Sequence, residues 1–198
     1  MRRRVEAIAL WTAVGLVAVL PVAVAAASPL LNGRDAIWIA GGMAGVLALS
    51  TLFLQPLFVA NRLPGTRGRT GLSWHRLTGA VTLLLVIAHV GGLYIYSPED
   101  IADALLLVAP TPFSLYGVIG LVALLLTAAL AAGRRRLRLA PALWRALHML
   151  LAATATIAGI VHAWMIEGAM GDMTKAMICA AALLATLLAV KTRLRPSR

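Results

Sequence analysis

"WHRLTGAVTLLLVIAH", residues 74–89, is an apolar run with a histidine near each end, at positions 75 and 89. "HMLLAATATIAGIVH", residues 148–162, repeats the 14-residue spacing in a second apolar run, and these four are the only histidines in the chain. On an α-helix, 14 residues turn through about 1,400°, four turns less about 40°, and rise about 21 Å. His75 and His89 therefore share one helix face, and His148 and His162 share a face of another helix.

The composition decides what surrounds those helices. With 198 residues, 61% of them hydrophobic and 13% charged, and a mean hydropathy of +0.90, the chain is far too apolar for a soluble domain of this length. Six segments, near 5–27, 36–60, 72–96, 113–132, 141–165 and 172–190, are each long enough as helices to cross a hydrocarbon core of about 30 Å. Turn and breaker residues separate them: "SPLLNGRD" from Ser28, "NRLPGTRGRTG" from Asn61, "SPED" from Ser97 with "PTP" from Pro110, "GRRRLRLAP" from Gly133 and "EGAMGD" from Glu167. The expected fold is all-α: a single polytopic transmembrane domain over 1–198, built as a six-helix bundle. Pro21 and Pro56 fall inside the first two helices, where each removes a backbone hydrogen bond and predicts a bend.

A net charge of +11 raises the possibility of a nucleic-acid partner, but its distribution excludes one. One set of helix ends collects Arg2, Arg3, Arg4, Arg62, Arg67, Arg69, Arg76, Arg134, Arg135, Arg136, Arg138, Arg145, Lys191, Arg193, Arg195 and Arg198. Only Arg34 and Lys175 lie on the other side, together with six of the seven acidic residues. By the positive-inside rule, both termini are cytoplasmic and the expected location is a bacterial inner (plasma) membrane. "MRRR" followed by an apolar stretch and "AVAAAS" also resembles a secretory signal peptide, but the apolar part is longer than a typical signal core, which favours a retained first helix. The single Cys179 excludes a disulfide framework and a multi-cysteine metal site.

In this topology the third and fifth helices run parallel, so His75 lies level with His148, and His89 with His162. Two imidazoles facing each other at one depth can fill both axial positions of a haem iron, and the chain offers two such layers. Two b-type haems between the third and fifth helices follow, with His75 and His148 holding the iron of the inner one and His89 and His162 that of the outer one. Iron ligated on both sides by histidine has no open position, which points to electron transfer rather than catalysis at the metal, so no catalytic residue is assigned. The alternative is a haem-free membrane subunit or transporter accessory whose histidines relay protons. A transporter would be favoured by acidic residues at mid-membrane, and this sequence has none there. A bare zinc site does not fit, because the two histidines of each helix are about 21 Å apart and no cysteine or carboxylate joins either layer.

Several neighbours admit two readings. Arg76 and Arg145 can pair with the propionates of the inner haem or act as positive-inside anchors. Gly79, Gly91, Gly92 and Gly159 give room either to a porphyrin or to ordinary helix contacts. Trp74, Trp144 and Trp164 suit an interfacial aromatic belt better than electron relays. Met165, Met170, Met173 and Met177 suit helix packing better than a copper-attracting sulfur cluster.

On these residues the sequence, from about 36 to 190, resembles the ferric reductase-like transmembrane domain. This haem core is shared by ferric reductases, NADPH oxidases and the membrane subunit of the periplasmic methionine sulfoxide reductase system. "WHRLTGAVTLLLVIAH" is similar to the family pattern of an aromatic residue, His, a basic residue and a second His 14 positions on, and "LWRALHMLLAATATIAGIVH" resembles the family's fifth helix. The resemblance implies that His75, His89, His148 and His162 are axial haem ligands. It also implies transmembrane electron transfer from a cytoplasmic donor to a periplasmic acceptor, a metal ion or a partner reductase. The sulfoxide reductase subunit lacks the first of these histidines, whereas His75 is present here, so the resemblance is to the broader two-haem family. No G-x-G-x-x-G fingerprint opens a helix after a strand, and the sequence ends eight residues past the sixth helix, so no flavin or nicotinamide domain is expected. The expected donor is a separate cytoplasmic flavoprotein reductase or a membrane quinol. The basic loops "NRLPGTRGR" and "GRRRLR" would suit an acidic flavoprotein, and anionic lipid headgroups account for the same charge.

Overall fold

The computed structural model describes residues 1–60 and 63–194; Arg62, Arg195 and Arg198 of the basic set lie outside these residues, as does the Arg193 side chain. Among the described residues there is no strand. The helices are α1 (Arg2–Ala26), α2 (Ala36–Val59), α3 (Arg69–Tyr96), α4 (Pro98–Leu105), α5 (Pro112–Ala132), α6 (Arg134–Leu137), α7 (Pro141–Met165) and α8 (Asp172–Leu194), with a 3-10 turn at Pro29–Leu31. Six of them, α1, α2, α3, α5, α7 and α8, are long and apolar enough to cross a membrane. The chain is a multi-pass membrane protein, and large apolar residues such as Leu84, Leu150 and Leu184 are exposed on its outside, where lipid is the solvent.

Local chemistry sets the helix starts. The Asp35 carboxylate accepts from the Ile37 N–H at 2.7 Å and caps α2. Proline stands in the first turn of α4, α5 and α7, where its missing N–H costs nothing. α1 and α2 both run through their internal prolines, Pro21 and Pro56, as continuous helices. The short α4 occupies a stretch that reads as a break in the sequence. Pro98 opens it, and Glu99 and Asp100 lie in its first turn, where the helix dipole favours negative charge. The four-residue α6 ends at Arg138 in the left-handed region, φ 47°.

Two packed units result. α2 lies along α3 and α5 along α7, while the two pairs touch each other only sparsely. A buried apolar cluster of Val14, Leu49, Phe53, Ile178 and Ala182 ties α1, α2 and α8 together on one flank. α2 and α3 approach closely at Gly41 and Gly92, where a Cβ on Gly92 would stand 3.1 Å from the Gly41 Cα. Lipid tails are as apolar as leucine, so close van der Waals approach of small residues carries this contact. Gly92→Leu should separate the two helices and destabilise the protein by about 1–3 kcal/mol, the usual cost of overpacking. Thermal unfolding in detergent checks this; an unchanged midpoint would contradict the packing described.

Candidate functional site

α3 and α7 carry the four histidines, and the structure brings them together as two facing pairs. The ring centres of His75 and His148 are 6.1 Å apart with planes at 73°. Those of His89 and His162 are 6.2 Å apart with planes at 77°. Two imidazoles bonded through Nε2 to opposite faces of one metal ion have a calculable spacing. With metal–nitrogen bonds of about 2.0 Å and ring centres about 1.15 Å behind the nitrogens, they would stand about 6.3 Å apart. Both pairs have that separation.

The hydrogen bonds of the ring nitrogens fix how the imidazoles can bind. His89 Nδ1 lies 2.8 Å from the Gly41 carbonyl oxygen of α2, and His162 Nδ1 lies 2.9 Å from the Phe113 carbonyl oxygen of α5. A carbonyl only accepts, so each Nδ1 carries the proton and each Nε2 keeps its lone pair, the tautomer a metal ligand needs. Glycines make this approach possible. A Cβ on Gly45 would fall 2.8 Å from His89 Nδ1, and a Cβ on Gly117 would fall 2.8 Å from His162 Nδ1. Between the helix pairs lies a cavity of about 730 Å³, lined by His89, His162, Gly45, Gly117, Leu52 and Thr82 among others. That volume is in the range of roughly 300–1,000 Å³ typical of small-molecule and cofactor sites. Thr82, 2% exposed and midway between His75 and His89, donates to the Thr78 carbonyl and reaches Thr51 Oγ1 at 2.9 Å, which satisfies its hydroxyl at the cavity wall. The residues at this layer fit a haem held by both histidines.

The other layer is held differently. His75 Nδ1 is 3.3 Å from the Gln55 carbonyl oxygen, and the Gln55 side-chain amide also reaches this ring. The orientation that satisfies both ends of the amide turns its nitrogen toward the imidazole, donating to His75 Nδ1 at 2.8 Å and to the His75 carbonyl at 3.1 Å, while its oxygen accepts from the Gly79 N–H at 2.7 Å and from Thr78 Oγ1 at 2.6 Å. A metal at Nε2 requires the opposite turn of the amide, with its oxygen accepting from Nδ1–H and its nitrogen donating to Thr78 Oγ1 at 2.6 Å. His148 Nδ1 is buried and has no hydrogen-bond partner among the described residues. Its ring is instead stacked on Trp144, with centres 5.0 Å apart and planes at 12°. Trp144 is itself pinned, its Nε1–H donating to the Leu130 carbonyl at 3.1 Å and the Arg134 guanidinium lying 4.5 Å from its ring centre. His75 and His148 are not among the residues lining the 730 Å³ cavity.

Arg76 and Arg145 are exposed near the basic ends of α3 and α7. Among the described residues no three His, Cys, Asp or Glu side chains gather as a metal site. The four glycines singled out on α3 and α7 are not those beside the histidines. Gly92 packs on Gly41, Gly79 faces Gln55, Gly159 lies near Leu52, and Gly91 has open space. The glycines that make room for the rings are Gly45 and Gly117, on the neighbouring helices α2 and α5. Sequence reasoning also passes over Gln55, a polar amide inside an apolar run, and over Trp144 as a partner of His148. It passes over Lys175 too, which is 6% exposed and lines the cavity. A polar group within a spanning segment is the available signal for Gln55 and Lys175.

A family model described as "Ferric reductase like transmembrane component" matches residues 40–159, a stretch that includes His75, His89 and His148 and ends before His162. No curated protein and no solved structure matches the chain.

Proposed function

The chain belongs to the ferric reductase-like transmembrane component family, whose members typically bind haem, and from that membership we propose a membrane electron-transfer subunit of an oxidoreductase that holds two b haems. The observation that carries this proposal is the facing pair His89 and His162. Their rings are spaced for one iron between them, their Nδ1 protons are tied to main-chain carbonyls, and they share the wall of a cavity of cofactor size. His75 and His148 hold the second haem. Held by these residues, haem would supply one-electron redox chemistry.

Every other task falls to the chain. The carbonyls of Gly41 and Phe113 orient two ligands, Gln55 orients His75, and Trp144 holds the plane of His148. Arg76 and Arg145 bind the propionates at the basic end. The apolar helices exclude water and small ions between the two aqueous phases. The basic helix ends set the orientation, with both termini in the cytoplasm and a bacterial inner membrane as the location. Electrons arrive from a separate flavoprotein reductase or a membrane quinol and leave to a periplasmic metal ion or partner reductase.

The test is electron transfer across a closed membrane. Purified protein is reconstituted into vesicles loaded with ferricyanide, and dithionite is added outside. Haem-loaded protein should bleach the internal ferricyanide, and protein-free vesicles should not. Equal rates in the two preparations would overturn the proposal. Trp144 adds a finer expectation. Trp144→Leu should weaken retention of the basic-end haem about tenfold, in the range seen when groups that orient a metal ligand are lost, whereas Trp144→Phe should keep most of it. Haem content per chain after detergent washing measures the difference.

A further inference from the structure

Lys175 is a cation buried at one end of a spanning helix, and nothing in the function proposed above uses it. It is 6% exposed and lies on the wall of the cavity that His89 and His162 share. An ammonium has three N–H donors. One goes to the Ile166 carbonyl oxygen at 2.8 Å. The nearest carboxylate, Asp172, stands 3.7 Å away, beyond hydrogen-bonding range, and its side chain is 99% exposed and solvated by water. Among the described residues these are its hydrogen-bond and ion-pair partners, with the buried Cys179 thiol within electrostatic reach, so two N–H donors are left without an acceptor on a residue that lines the cavity.

A buried charge is costly unless it is paired, and a cation with one carbonyl and one distant, screened carboxylate is underpaired. The site therefore lacks an anion. Its position says where. Ile166 follows His162 by four residues, about one helical turn or 6 Å along the axis. Lys175 thus marks the aqueous side of the His89/His162 layer, the side on which a charged group costs least. Arg34, the other basic residue on that side, is already engaged over the Trp38 ring at 5.0 Å. Glu167 also lines the cavity but is exposed to solvent.

We propose that Lys175, held by the Ile166 carbonyl against the cavity that carries His89 and His162, binds a carboxylate there. The inference rests on the haem reading above. The carboxylate has two possible sources, a propionate of the haem between His89 and His162 or the carboxylate of an anionic metal chelate arriving as acceptor. A lysine that only capped the last turn of α7 would need no anion.

The experiment uses haem-loaded wild type, Lys175→Met and Lys175→Arg. It measures haem retained per chain, the midpoint potential of each haem, and KM for ferric citrate and for the cationic hexaammineruthenium(III). A propionate source predicts that Lys175→Met lowers one midpoint potential only, because a cation near the carboxylates favours the reduced, more negative haem. Retention of that haem should fall about tenfold with both KM values unchanged, and Lys175→Arg should restore it. A chelate source predicts unchanged potentials and retention, with KM for ferric citrate raised about tenfold and KM for hexaammineruthenium unchanged. Wild-type potentials, retention and KM values in Lys175→Met, with or without a lower melting temperature, would overturn the proposal. A wild-type protein that binds no haem would instead contradict the reading on which it rests.

Discussion

Replacing His89 or His162 with alanine should remove one haem of two and leave the spectrum of the other in place. Each imidazole would supply one bond to the iron, and its Nδ1–H is committed to a main-chain carbonyl that fixes the ring. Losing a group that merely orients a ligand typically costs 10–100-fold in metal affinity, so losing the ligand itself should cost more than about 100-fold. The other pair lies about 21 Å away along the helices and shares no ligand with the first, so its haem should survive. Transfer across vesicles should fall to the protein-free rate, because one carrier of the two is gone. Haem content falling from two to one per chain in both variants checks this. Loss of both haems together, in variants that remain folded, would show that the two layers are not independent.

The second large effect comes from residues that bond to no iron. Gly45→Ala would place a Cβ 2.8 Å from His89 Nδ1 and 3.0 Å from its Cε1, and Gly117→Ala would place one 2.8 Å from His162 Nδ1. Carbon atoms essentially never approach a ring that closely, so the imidazole must move. Moving it breaks the hydrogen bond to Gly41 or Phe113 and swings Nε2 off the line to its partner. Overpacking of this kind costs about 1–3 kcal/mol in stability. Loss of ligand orientation should add a 10–100-fold drop in haem retention at that layer alone. Gly91→Ala is the control, since a Cβ at Gly91 meets nothing within 4 Å. Haem titration of the three variants in detergent measures the effect. Equal retention in Gly45→Ala and Gly91→Ala would contradict the role given to Gly45.

The six apolar runs, the one-sided basic residues and the two 14-residue histidine spacings are legible in the amino-acid sequence because they are properties of single segments, and helical geometry converts each into a face or an end. The partners across a helix contact are different. That Gly45 stands behind His89 depends on how α2 crosses α3, and no periodicity within α2 reports it. Gly92 and Gly159 are equally plausible by composition, and only packing separates a glycine that admits a helix from one that admits a ring. α4 is hidden in the sequence because "SPED" is both a turn signal and a helix start, and Pro98 with two acidic residues after it resolves to the second. Trp144 reads as an interfacial anchor because its stacking on His148 is a contact between residues four apart on one helix, a spacing at which side chains meet but need not stack. Gln55 and Lys175 are visible as polar groups in apolar segments, yet their roles depend on which wall they face.

The most direct test of the two-layer site is the low-temperature electron paramagnetic resonance spectrum of the oxidised, purified protein, combined with haem quantitation. Imidazole planes at 73° and 77° to one another should give strongly anisotropic low-spin ferric signals from two b haems per chain. Folded protein that contains no haem after expression with added haem, or only high-spin iron, would contradict ligation by His75 with His148 and by His89 with His162.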